Sequence, residues 1–155
     1  MNPRSDQLSE WTIRAGWVSV GSISLSPHQH RLVMPQNLPK APGIYRIEAA
    51  GVQEIYVGEG ANLYRRLGNY QNAGWRPGIK SHTNRFVQGW IYGLLTSEPF
   101  AVQVHICTSV QLGIAGEIAQ ELDLRQKYFR VLVEAATVAG LSGWKIMNKQ
   151  YDAKL

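Results

Sequence analysis

Residues 43–60 read GIYRIEAAGVQEIYVGEG. Two β-favouring words, GIY and IYVG, flank a short turn, and each carries one tyrosine, Tyr45 and Tyr56. Alternation sends Tyr45 and Ile47 to one side of a strand and Ile44 and Arg46 to the other, the period-two pattern of a half-buried sheet. A hairpin whose loop is centred between Ala50 and Gly51 sets Tyr45 directly across from Tyr56, with Cβ atoms about 4.5–5.5 Å apart. Both phenols then open onto one spot.

Downstream, VGEGANLYRRLGNY ends the second strand at its glycines and begins a helix, with Asn62 as N-cap. Leu63, Leu67 and Tyr70 recur at helical spacing and form the inner face. Arg66 lies one turn from Tyr70, while Arg65 is turned further out. A GWRPG turn leads to a second helix over Asn84 to Leu95. AVQVHIC (101–107) reads as a buried third strand, a long helix covers at least Leu124 to Leu141, and the chain closes with a turn, SGWKIMN, and a polar tail. Upstream, WVSV and SISL, split by Gly21, predict an N-terminal hairpin, followed by loop residues in SPHQH and MPQNLPKAPG. Residues 1–41 thus form an extension packed on a core spanning 42–155, within a single structural domain. Strands and helices mix without regular alternation, which defines an α+β fold.

A chain of 155 residues buries roughly two-thirds of the surface its unfolded form exposes, enough to fold without metal or disulfide. The single cysteine, Cys107, excludes a disulfide framework within the chain and suits a reducing compartment. No apolar run has the length of a signal peptide or a membrane helix, so the expectation is a cytoplasmic protein with no membrane partner. Sixteen Lys and Arg against eleven Asp and Glu give a net charge of +5, which favours polyanionic partners. Arg65, Arg66, Arg76, Lys80 and Arg85 fall in one stretch, interleaved with Tyr64, Tyr70, Trp75 and Asn84. Such a mixture suits phosphate and base contacts, and equally a solvated helix and loop.

Several motifs fail. The run from Gly58 through Gly60 to Leu63 lacks the third glycine of a dinucleotide fingerprint, and no phosphate-cradling GxxxxGK[ST] exists. His28 and His30 have no further ligand spaced to complete a tetrahedral metal site. His105 and Cys107 share a strand face, but a packed thiol explains the cysteine better than a nucleophile does. There is no GxSxG elbow.

With the hairpin and arginine helix in place, the sequence resembles a GIY-YIG nuclease domain, the fold of excision-repair incision enzymes and of some homing and restriction endonucleases. GIY stands at 43–45, and YVG at 56–58 replaces the usual YIG. Arg66 follows at the spacing of the repair enzymes, and a late helix supplies Glu134, followed by Asn148 in IMNK. The resemblance spans about Pro42 to Lys149. It implies a small three-stranded antiparallel sheet flanked by helices and a metal-dependent hydrolysis of a nucleic-acid phosphodiester, with DNA the expected partner.

In that pattern Glu134 is the sole protein ligand of Mg²⁺ (or Mn²⁺), a hard cation commonly held by one carboxylate plus water and phosphate oxygens. The resemblance makes Arg66 the phosphate clamp, and Tyr45 and Tyr56 the groups that position the attacking water, one of them acting as general base if a nearby cation lowers its pKa from about 10. Tyr70 contacts the phosphate or the nucleophile. Asn148 ties the chain end back to the active face or touches substrate. Arg76, Lys80, Asn84 and Arg85 lie in a segment that is longer than in compact members and is the candidate for substrate contacts. Glu59 departs from the lysine of the repair enzymes: a carboxylate beside a phosphate site is unhelpful unless it binds a cation or turns away. Rival readings are a catalytically inactive nucleic-acid-binding module of the same fold and a protein-docking domain using exposed tryptophans. The oligomeric state, monomer or dimer, is open.

Overall fold

The computed structural model describes residues 10–28, 31–72, 82–97, 100–115 and 117–148. In chain order it contains β1 (Trp11–Leu25), β2 (Leu32–Val33), β3 (Gly43–Ala49), β4 (Glu54–Gly60), α1 (Leu63–Asn72), α2 (His82–Ser97), β5 (Val102–Ile114), β6 (Glu117–Glu121), α3 (Lys127–Ala139) and β7 (Lys145–Ile146). The α+β class follows directly. The sheet, however, is larger than three antiparallel strands: among the described residues it has seven, in the order β2-β1-β5-β3-β4-β7, with β6 paired to β5. It is also mixed, because β7 runs parallel to β4.

The β3–β4 hairpin forms with a register different from the one predicted. Tyr45 faces Gly58, and Tyr56 faces Ile47. The loop occupies Ala50–Gln53, a 3₁₀ turn over Ala50–Val52 followed by Gln53 with φ 53°. Its centre therefore lies one residue later than expected. A shift of this kind moves each facing partner by two positions, so the tyrosines stay on one face but become diagonal neighbours.

The N-terminal hairpin is corrected as well. WVSV and SISL belong to one continuous strand, β1, which pairs with β5 from Trp11 to Ile23. Gly21 adopts φ 122° beside a break in register rather than at a turn, a bulge that bends the strand without ending it. The real reversal is at Ser26, whose N–H donates to the Arg31 carbonyl at 2.8 Å. The extension thus contributes a full strand to the same sheet as the core.

The third strand runs on to Ile114, and SGWKIMN is not only a turn: Lys145 N–H donates to Gln53 O and Met147 N–H to Ile55 O, both at 2.8 Å. Helix α3 starts at Lys127 rather than Leu124, since Leu124–Gln126 form the turn that feeds it.

The two sheet faces bury different helices. Tyr45, Ile47, Ala49 and Tyr56 pack with Leu63, Leu67 and Tyr70 of α1 and with Val87, Ile91 and Leu94 of α2. Ile44, Ile55, Val57 and Cys107 pack on the other face with Val133 and Val138 of α3. Among the described residues no helix is long and apolar enough to cross a membrane.

Candidate functional site

On the α1 face, residues from three elements meet. The Tyr45 and Tyr70 hydroxyls share a hydrogen bond, and the rings of Tyr45, Tyr56 and Tyr70 lie pairwise 6.1–6.3 Å apart. The tilted and edge-on orientations are those that aromatic quadrupoles favour. Gly58 makes this possible. A Cβ there would stand 2.3 Å from the Tyr45 ring, so the glycine of YVG is the floor on which the first tyrosine lies.

Helix α1 begins where expected, with Arg65 N–H donating to Asn62 Oδ1 at 3.0 Å. One turn in, the Arg66 guanidinium stands 5.3 Å from the centre of the Tyr70 ring and engages the Tyr45 hydroxyl. Its stem runs against the end of β4, since a Cβ at Gly60 would meet Arg66 Cβ at 3.0 Å. Arg66 Nη1 donates to Asn84 Oδ1 at 2.9 Å. Asn84, predicted as a substrate contact, is therefore buried and holds the arginine in place. The spacing of Asn84, Val87, Ile91 and Leu94 along α2 places it on the inward stripe, a signal the sequence contained. Arg85 points outward. Arg76 and Lys80 lie outside the described residues.

Burial sets the protonation of the cluster. Tyr45 is fully enclosed, and desolvation pushes its phenol well above its ordinary value against the pull of Arg66. Tyr70 is driven up in the same way, and the neighbouring phenols add to it. Both are neutral hydroxyls at neutral pH, suited to orienting a neighbour and unsuited to accepting a proton. For Arg66, burial disfavours the charge, but the three phenols outweigh it and the guanidinium is held cationic.

Glu134 sits on α3, 6% exposed, in the buried stripe with Arg130, Val133 and Val138. That helix packs on the sheet face opposite to the tyrosines. The expected convergence of phenols, guanidinium and carboxylate on one side of the sheet is thus not what the layers provide. Between the layers lies the end of β4, where the sides alternate: Gly60 supports the Arg66 stem, and Glu59 points to α3. Arg130 Nε donates to Glu59 Oε2 at 2.6 Å and Arg130 Nη1 to the carbonyls of Leu124 and Arg125. Glu59 therefore turns away from the tyrosines and is neutralised by Arg130.

Asn148 closes the outer edge of β4. Val57 N–H donates to Asn148 Oδ1 at 2.9 Å, and Asn148 Nδ2 donates to Val57 O. This side chain, 2% exposed, acts as one more residue of a strand beside Val57. It ties the chain end to β4 and is not displayed toward solvent. Beyond it, Gly58–Gly60 have no strand partner on that side among the described residues.

As for a cation, no three His, Cys, Asp or Glu side chains gather among the described residues. Of the predicted ligands only the Glu134 carboxylate is present, a hard oxygen donor of the kind that suits Mg²⁺ or Mn²⁺. Elsewhere His105 Nε2 faces Glu48 at 3.3 Å, whereas the Cys107 thiol donates to Ser109 O at 3.2 Å; they form no dyad. Burial also raises the Cys107 pKa. Compared with family models, curated proteins and solved structures, the chain matches none.

Proposed function

We propose that the chain is a metal-dependent endonuclease of the GIY-YIG type that hydrolyses a DNA phosphodiester at the outer edge of β4. One observation carries this reading: Tyr45, Tyr56, Tyr70 and Arg66, which stand at that family's motif positions, gather from β3, β4 and α1 into a single cluster. Arg66 binds the scissile phosphate and offsets charge on its oxygens, a task for a planar, permanently charged fork. Asn84 and Gly60 hold that fork in position. Tyr45 and Tyr70 are positioning residues, and Tyr56, which retains slight exposure, orients the attacking water. Glu134 would hold the cation, whose chemistry when bound is Lewis-acid stabilisation of the leaving oxygen. The phosphate lies across Gly58–Gly60, flanked by the α1 layer on one side and the α3 layer on the other.

Incubation with supercoiled plasmid tests this. Nicked circles are expected with Mg²⁺ or Mn²⁺ and none with chelator. A second reading, a catalytically silent nucleic-acid-binding module, is favoured by the packing of α3 on the face opposite to the tyrosines. Salt-sensitive binding without any metal-dependent product would establish it instead.

A further inference from the structure

On the outer side of α1, away from the tyrosine cluster, a groove of about 410 Å³ separates the helix from the loop before β3. That volume falls within the roughly 300–1,000 Å³ of small-molecule sites. Met34, Pro35 and Leu38 form its apolar wall; Tyr64, Arg65 and the amides of Gln36, Asn69 and Gln71 supply the rest. None of these lining residues is acidic. Tyr64 is 54% exposed, and Lys40 Nζ stands 5.3 Å from its ring centre. One cation thus lies over an exposed aromatic ring, and Arg65 and three amides line the same groove.

Gly68 forms part of the groove floor. Gly68 lies within α1, where glycine costs about 0.5–1 kcal/mol relative to alanine. A Cβ at Gly68 would meet no atom within 4 Å, so packing inside the fold does not require the glycine. It does keep the groove open against the helix backbone.

We propose that this groove binds one unpaired nucleotide of a nucleic-acid strand, an inference that rests on nucleic acid being the partner. The base lies against Tyr64 and the apolar wall, because every base offers a π-face. Its phosphate is met by Arg65 and Lys40, and the amides meet base edges. Closure of the floor by a methyl group would obstruct the ligand while strengthening the helix.

The test uses the full chain and a fluorescein-labelled single-stranded oligodeoxynucleotide, with chelator present to prevent cleavage. Anisotropy titrations compare wild type with Tyr64→Ala, Arg65→Gln and Gly68→Ala, and thermal melts are recorded for each. Tyr64→Ala and Arg65→Gln should each weaken binding roughly tenfold. Gly68→Ala should weaken binding and yet melt at a higher temperature than wild type, a pairing that misfolding cannot produce. Wild type that binds the strand, with all three variants binding equally well, overturns the groove and leaves the endonuclease reading intact. Wild type that binds no strand and nicks no plasmid overturns both.

Discussion

At the scale of single residues, the site depends on what is missing as much as on what is present. Gly58 has no side chain because the Tyr45 ring occupies that space. Gly58→Ala should therefore cost about 1–3 kcal/mol or more in urea unfolding, the usual cost of overpacking. The same substitution made with Tyr45→Ala should cost much less, since contacting residues are not additive. Protonation gives a second expectation. Tyr45 and Tyr70 have folded-state pKa values raised above the unfolded value. Their contribution is fully present below about pH 10 and declines as the pH rises beyond it, because the unfolded phenols then lose protons first. Between about pH 9 and about pH 11, Tyr45→Phe should reduce this loss by up to about 1.4 kcal/mol per pH unit, as measured by unfolding at each pH. The motif residues themselves were legible because glycine and tyrosine alternate visibly along the strands. The role of Asn84 was obscured by its polarity, although its helical spacing with Val87 and Ile91 pointed inward.

Among the elements, the β4 edge is where the two layers are joined. Asn148 gives Val57 the two hydrogen bonds a neighbouring strand would give. Asn148→Leu leaves a buried N–H and a buried C=O unpaired, each worth about 1–3 kcal/mol. Loss of protection at the Val57 amide in hydrogen exchange should accompany the drop in stability. Along the same strand, Glu59 meets Arg130 where both are largely buried. Installing the lysine of the repair enzymes, Glu59→Lys, should therefore destabilise the chain by about 3–5 kcal/mol, the cost of breaking a buried pair. An unchanged midpoint in urea would contradict that pairing. The identities of β3, β4, β5 and the three helices followed from periodicity, but register did not, and β2, β6 and β7 were not foreseen. The Ala50–Gln53 loop closes through a left-handed glutamine, a conformation that glutamine does not advertise. Likewise WVSV and SISL could not reveal one long strand, because a glycine marks a bulge as readily as a turn.

For the molecule as a whole, the sheet divides the predicted site residues between two layers, and the proposed function depends on whether they act together. Long-range assembly was the least legible part of the sequence. The pairing of β1 with β5 and the parallel return of β7 join segments far apart in the chain, and neither leaves a local pattern. The placement of α3 follows from Val133 and Val138 meeting Ile55 and Val57, a match of apolar faces that periodicity alone leaves undetermined. In the proposed reaction, Arg66 from one layer and Glu134 from the other serve a single phosphate. The direct measurement is the single-turnover rate of Mg²⁺-dependent plasmid nicking for wild type, Arg66→Ala, Glu134→Ala and the double variant. Residues that act as a unit are strongly non-additive, so each single substitution should lower the rate by about 100-fold or more, with the double variant little worse than the poorer single. Nicking that persists unchanged in Glu134→Ala, or losses that simply multiply in the double variant, would contradict the claim.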